Sequence, residues 1–396
     1  MADTTNEGMP VFLRRTGLMP AARLQATRDA AGLERTLTVF GQPAWLVSRA
    51  EDVRTVLGDP TVFTTSGSLP ASSSQDPDEG GMPGNLLFMH PPQHTMLRRM
   101  LTPAFTAQSL RRLEPRIREI VDDRLRAMAA AGPPADLVAA FSWEIPSQVI
   151  CELLGIPPKD RARFRSLIDP SFDFGIAEEE RRRARRGLTE YMHALVAQAR
   201  ATPDDDLFGV LVREHADVLS QDDFAGIGVT LMQAGHETTA SMIASSVLAL
   251  LTHPDQLELF RNEPRLTRNA IEELLRYLAV VQIIPPRRAS RDTIVGGQRV
   301  AAGDLLVVSL PAASHDPDLV AEPDLLDITR SAPSHIAFGH GIHHCLGAPL
   351  ARLEMTIALP ALFRRFPDLA LAVKPEDVSY KTGTVVHGVK ALPVTW

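Results

Sequence analysis

The chain has 396 residues, 44% of them hydrophobic and 22% charged, ordinary values for a globular protein long enough to bury a large core. Its net charge of −7 argues against general nucleic-acid binding, although arginines cluster locally. The two cysteines, Cys151 and Cys345, form no disulfide framework and point to a reducing compartment; with no apolar run of signal-peptide or membrane-spanning length near the start, a cytoplasmic protein without a membrane anchor is expected.

Residues 35–48 read as two strands around a Gly41-Gln42 turn, followed by a short helix from about Ala50 to Leu57 that stops at Gly58-Asp59-Pro60. From Thr64 to Asn85 the chain is rich in Ser, Pro, Gly and Asp, and a loop this long is either disordered or functional. Pro91-Pro92 suits the first turn of a helix carrying His94 and Arg98, four apart and so on one face. On spacing alone that is a solvated helix face or a pair of donors for an anion. From Pro115 to about Asp217 helix follows helix, broken at Gly132-Pro133-Pro134, Gly155-Ile156-Pro157-Pro158 and Thr202-Pro203-Asp204, with another break at Phe172–Gly175. Cys151 lies in an apolar helical run and reads as inert core. The charged run Glu178–Arg186 reads as a solvated face.

One helix is expected from about Gln221 to Leu251, roughly 45 Å long and apolar on most sides. Gln233, His236, Glu237, Thr238 and Thr239 interrupt it. Unpaired polar groups in a buried helix cost about 1–3 kcal/mol each, so these residues need a reason. Threonines that bond back to the preceding turn are one; a chemical role is another. Further on, Glu273 and Arg276 share a helix face, where an exposed pair would contribute only a few tenths of a kcal/mol, ~0.2–0.5. Strand-like segments follow around Gly296-Gly297 and from Leu305 to Leu310, and short strands are expected after Phe366.

Ala337–Ala348 forms a glycine-rich loop that puts Cys345 directly before an apolar-periodic helix with Leu346, Leu350, Leu353 and Ile357. A thiol at a helix N-terminus is expected to rest as the thiolate. Four readings compete: a structural cysteine, a zinc site with His340, His343 and His344, a nucleophile paired with a histidine, and axial ligation of haem iron.

The pattern Phe338-Gly339-x-Gly341-x-His343-x-Cys345-x-Gly347 resembles the haem-ligand loop of the cytochrome P450 superfamily. Ala234-Gly235-His236-Glu237-Thr238-Thr239 resembles its oxygen-activation motif, His94-x-x-x-Arg98 its propionate-binding pair, and Glu273-x-x-Arg276 with Arg330 its structural triad. The resemblance covers nearly the whole chain. It implies a mainly α fold with small β-sheets, one domain over residues 1–396, with a β-rich portion at 35–48, a helical core over about 90–280 and the ligand loop at 337–348. It implies haem b ligated by Cys345. His94, Arg98, Arg287, Phe338, Gly339, His343 and Gly347 would hold the haem, together with Ala234 and Gly235, and Arg288 is the other candidate beside Arg287. Gly235 would admit dioxygen to the backbone, Thr238 would hold it and Glu237 would handle protons.

By the same resemblance the protein is a monooxygenase of a hydrophobic small molecule in natural-product metabolism. It would use O2 and electrons from a separate ferredoxin or flavodoxin, docked near Arg99 and Arg352. The loop from Thr64 would control substrate access, the helices flanking Phe172–Gly175 would roof the cavity, and Thr382–Val386 would reach into it. Oxidative coupling of aromatic rings, a non-catalytic haem-binding protein and a cysteine hydrolase are the alternatives. Ser314-His315-Asp316-Pro317 departs from the Asn-Arg-Asp-Pro common in bacterial relatives, which affects only local packing.

Overall fold

A computed structural model describes residues 9–30, 33–65, 83–163, 166–167, 177–331 and 333–396. Most of the expected access loop and the Phe172–Gly175 break therefore lie outside the described residues. The helices among those described are α1 (Ala22–Asp29), α2 (Ala50–Gly58), α3 (Gln93–Leu101), α4 (Ala107–Ala131), α5 (Glu144–Leu154), α6 (Glu178–Ala201), α7 (Leu207–His215), α8 (Gln221–Thr252), α9 (Pro254–Asn262), α10 (Thr267–Leu278), α11 (Leu310–Ser314) and α12 (Ala348–Arg365). One five-stranded sheet combines β1 (Glu34–Leu37), β2 (Pro43–Val47), β3 (Phe63–Thr64), β4 (Arg287–Ala289) and β5 (Leu305–Val308) in the order β1-β2-β5-β4-β3. Only β2 and β5 run parallel, pairing Ala44 with Leu305 through Val47 with Val308. The fold is mainly α with small sheets, as expected.

Helix α8 organises the rest. A capping box starts it: the Ser220 hydroxyl accepts the Asp223 N–H at 3.0 Å while Asp223 accepts the Ser220 N–H at 2.9 Å. At about 1.5 Å per residue it is about 48 Å long. Its first half packs with α5, α6 and α7, and its second half with α4, α9, α10 and α12. The polar stretch Gln233–Thr239 falls at the seam between these two hydrophobic clusters.

Three boundaries differ from expectation. Helix α4 starts at Ala107 and runs through Pro115, because the proline is solvent-exposed and the carbonyl it leaves free meets water, while Leu110, Ile117, Ile120 and Val121 bury the opposite face. Pro91 and Pro92 precede α3 instead of lying in its first turn. Strand β5 stops at Val308, and Leu310 opens α11, whose first turn is capped by the Ser309 side chain.

The Glu273–Arg276 pair is fully buried, with contacts of 2.7 and 2.8 Å, and Arg330 reaches the same carboxylate at 3.2 Å. Arg276 also donates to the carbonyls of Ser314, Pro323 and Leu325, so every face of the buried charge is met. The departure at His315 is absorbed locally: its ring bridges the Tyr277 carbonyl and the Asp324 carboxylate, each at 2.8 Å.

Candidate active site

The loop before α12 is bent by glycines. Gly339 and Gly341 have φ of +72° and +69°, and a Cβ on Gly341 would lie 2.0 Å from the Leu57 carbonyl oxygen, so the loop can wedge against the end of α2 only with glycine there. The Cys345 N–H donates to the Phe338 carbonyl at 2.9 Å and closes the loop. The thiol lies deep below the surface while remaining partly accessible. Burial pushes its pKa up; the N–H groups of Gly347 and Ala348 and the charges of Arg98 and Arg352 pull down but do not prevail. Burial and the helix N-terminus thus act in opposite directions on this sulfur, and a bound iron would add its charge on the side of the thiolate.

The three histidines of the loop diverge. His343 packs against His94 with ring centroids 4.3 Å apart, His344 lies against Phe338, and His340 faces Gly58. Among the described residues no group of three or more His, Cys, Asp and Glu converges on a metal-binding point, which removes the zinc reading.

Around His343 the structure gathers positive and donor groups. Arg98 donates to the His344 carbonyl at 2.6 Å. Arg287 is buried, with burial lowering its pKa to about 10, and has no carboxylate partner among the described residues. Arg288 instead turns to the Gly303 carbonyl at 2.8 Å. Both ring nitrogens of His94 are buried without a hydrogen-bond partner. Burial, then the charges of Arg98, His90 and Arg287, lowers the His94 pKa to about 4. Burial, then Arg287, His94, Arg98 and His90, lowers that of His343 to about 3. Such a set lacks an anion. A group with two carboxylates, as haem has, would fit these donors. His90, which sequence reading missed, belongs to the same cluster and accepts or donates at 3.3 Å to Thr64; its spacing four before His94 was the available signal.

On α8, Thr238 donates its hydroxyl proton to the Ala234 carbonyl at 2.6 Å. A Cβ on Gly235 would come within 3.3 Å of the Ile150 side chain, so glycine there also lets α5 pack closely. His236 is buried and reaches the Trp143 carbonyl at 3.2 Å. Glu237 pairs with Lys381 at 2.9 Å, a partner with no signal in the sequence.

Behind the loop, Arg352 makes two bonds to Glu272, at 2.6 and 2.8 Å, and His335 reaches the same carboxylate at 3.0 Å. Arg352 also lies over the Phe338 ring, 4.6 Å from its centroid. Its charge is shared with Glu272. Arg99 is exposed.

The sequence pattern of the family described as Cytochrome P450 matches residues 166–391. Cytochrome P450 FAS1 of Rhodococcoides fascians is 42% identical, with all of both chains covered. The mycinamicin IV hydroxylase/epoxidase of Micromonospora griseorubida is 37% identical over 96% of each chain. In structure, the chain superposes with a TM-score of 0.89 at 38% identity on OxyC, a cytochrome P450 implicated in an oxidative C–C coupling reaction during vancomycin biosynthesis, covering 98% of this chain and 96% of that one. Identity of this order along the full length leaves one conclusion: the chain belongs to the cytochrome P450 family, monooxygenases that bind haem through a cysteine thiolate.

Proposed function

We propose that Cys345 is the thiolate ligand of haem b, and that His94, Arg98, Arg287 and His343 hold its carboxylates. Phe338, Gly339, Gly347, Ala234 and Gly235 lie against the ring. The observation that carries this reading is the gathering of the buried His94 and Arg287 with the partly buried Arg98 and His343, with no carboxylate paired to either arginine among the described residues, beside a deep-set thiol. When bound, the haem supplies reductive activation of dioxygen, and its thiolate donates electron density that favours O–O cleavage.

The chain's own residues supply the protons. That cleavage requires two, and a carboxyl with a hydroxyl relay suits the task. Glu237 takes protons from the solvent side and Thr238 passes them on. With its own proton resting on Ala234, Thr238 keeps lone pairs free to accept one.

The substrate is a sizeable hydrophobic natural product. Val281 and Val386 bridge, and the Gln282 N–H donates to the Val385 carbonyl, so the turn expected to reach into the cavity has an apolar neighbour in the stretch after α10. Electrons come from a small acidic ferredoxin or flavodoxin that meets Arg99. Both cysteines are free, which suits the cytoplasm.

Ring coupling is the second reading, favoured by the likeness to OxyC. Polyketides, terpenes, steroids and carrier-bound peptides are screened for a change of haem spin state, and the compound that binds is turned over under 18O2. One labelled oxygen in the product supports monooxygenation. A product that has lost two hydrogens and gained no label supports coupling.

A further inference from the structure

The tail of the chain folds back on α8 as a narrow hairpin. Tyr380 bridges Val389, the Lys381 N–H donates to the Gly388 carbonyl at 2.9 Å, and the Lys390 N–H donates to the Ser379 carbonyl at 2.7 Å. Its far end, Thr384–Val386, which the resemblance expects to reach into the cavity, is bonded to Val281 and Gln282. At its base, the hairpin touches α8 one turn beyond Glu237. A Cβ on Gly388 would lie 2.8 Å from the Ser241 hydroxyl oxygen and 2.9 Å from its Cβ, so only glycine permits this approach.

Lys381 projects from that base. Its ammonium donates to the Glu237 carboxylate at 2.9 Å and to the Ser241 hydroxyl at 3.4 Å, and lies 5.4 Å from the centroid of the Trp143 indole. Trp143 in turn touches the preceding residue of the same α8 motif: its ring lies 4.1 Å from that of His236, whose imidazole reaches the Trp143 carbonyl. His236 and Glu237 are thus each held from outside the helix, one by the start of α5 and the other by the tail hairpin. Side-chain exposures of 19% for Lys381 and 25% for Glu237 leave the pair screened enough to open, yet sheltered enough to fix one geometry.

We propose that Lys381 is the positioning residue for Glu237, holding its carboxylate at the mouth of the proton route and tying it to the hairpin whose tip faces the substrate. This rests on Glu237 serving that route. Lys381 acts through Glu237.

The test uses substrate-free holoenzyme of the wild type and of Lys381→Met, Lys381→Arg, Glu237→Gln and the Lys381→Met/Glu237→Gln double variant. The first readout is modification of Glu237 by a water-soluble carbodiimide and an amine, quantified by peptide mass spectrometry. The second is the H2O/D2O isotope effect on O2 consumption, with electrons fed by a plant-type ferredoxin and its reductase. We expect Lys381→Met to raise Glu237 modification about threefold, the scale a partly exposed ion pair sustains. It should also raise the isotope effect about twofold as proton delivery slows. Lys381→Arg should restore both, and the double variant should match Glu237→Gln, since the lysine has nothing left to position. Wild-type modification and isotope effect in Lys381→Met, with Glu237→Gln still raising the isotope effect, would overturn the role of Lys381. An unchanged isotope effect in Glu237→Gln would instead overturn the proton role of Glu237, and the proposal with it.

Discussion

Arg352 closes both arms of its guanidinium on the Glu272 carboxylate, so the basic residue nearest the cysteine on α12 is an internal strut. Its partner joins three pieces: α10 through Glu272 itself, the entry to the loop through His335, and α12 through Arg352. Arg99, unpaired by any described carboxylate and exposed, is the better contact for an acidic electron donor. Arg99→Glu should slow reduction by an acidic ferredoxin about tenfold at low salt, with the difference shrinking as salt rises. Arg352→Met should leave the salt slope unchanged and instead lower the urea midpoint, since it strips a half-buried carboxylate of its main partner, a loss of about 1–3 kcal/mol. An equal change of salt slope in both variants would return Arg352 to the docking surface.

Glu272 also gives the strut a pH limit. Burial alone would raise its pKa; hydrogen bonds and charges from His335 and Arg352 hold it at about 2. A folded pKa below the unfolded value means that the contribution is complete above about 4.5 and is lost as pH falls towards about 2. Glu272→Gln should therefore lower stability at pH 7 and narrow its gap to the wild type as pH drops below 4.5, read by urea unfolding at each pH.

The imidazoles facing Arg98 and Arg287 act in the same direction over a higher pH window. Their folded pKa values of about 4 for His94 and about 3 for His343 lie below the unfolded value near 6.5. The unfolded chain binds more protons between these limits, so the haem-free protein loses stability as pH falls from about 6.5 towards about 4. A bound dianion would offset the positive charges that add to burial in depressing both. Denaturation midpoints at pH 7 and pH 5 should differ more for the haem-free protein than for the haem-loaded one. An equal difference would place the anion elsewhere.

The buried Glu273–Arg276 pair makes a stability prediction free of chemistry. Arg276→Leu leaves a fully buried carboxylate without its main partner, a loss of about 3–5 kcal/mol, and the chain should unfold about 4–6 °C early. Near-normal thermal unfolding would show that Arg330 alone can neutralise Glu273.

What could be read in advance follows from how far each interaction reaches along the chain. The α8 helix, the Cys345 loop and the Glu273–Arg276 spacing are local patterns, set by period, glycine placement and a turn of helix. Helix α4 running through Pro115 was not legible, because the tolerance comes from the exposure of one carbonyl. The Lys381–Glu237, Arg352–Glu272 and His94–His343 contacts join segments separated by dozens to hundreds of residues, and no periodicity encodes them. The family pattern already favours Arg287 over Arg288, and β4 buries the one and turns the other towards Gly303.

The most direct test of the whole account is the absorption spectrum of the reduced, carbon-monoxide-bound protein, wild type beside Cys345→Ala. The account predicts the red-shifted Soret band of a thiolate-ligated haem in the wild type and its loss in the variant. The same thiolate band in Cys345→Ala would contradict it.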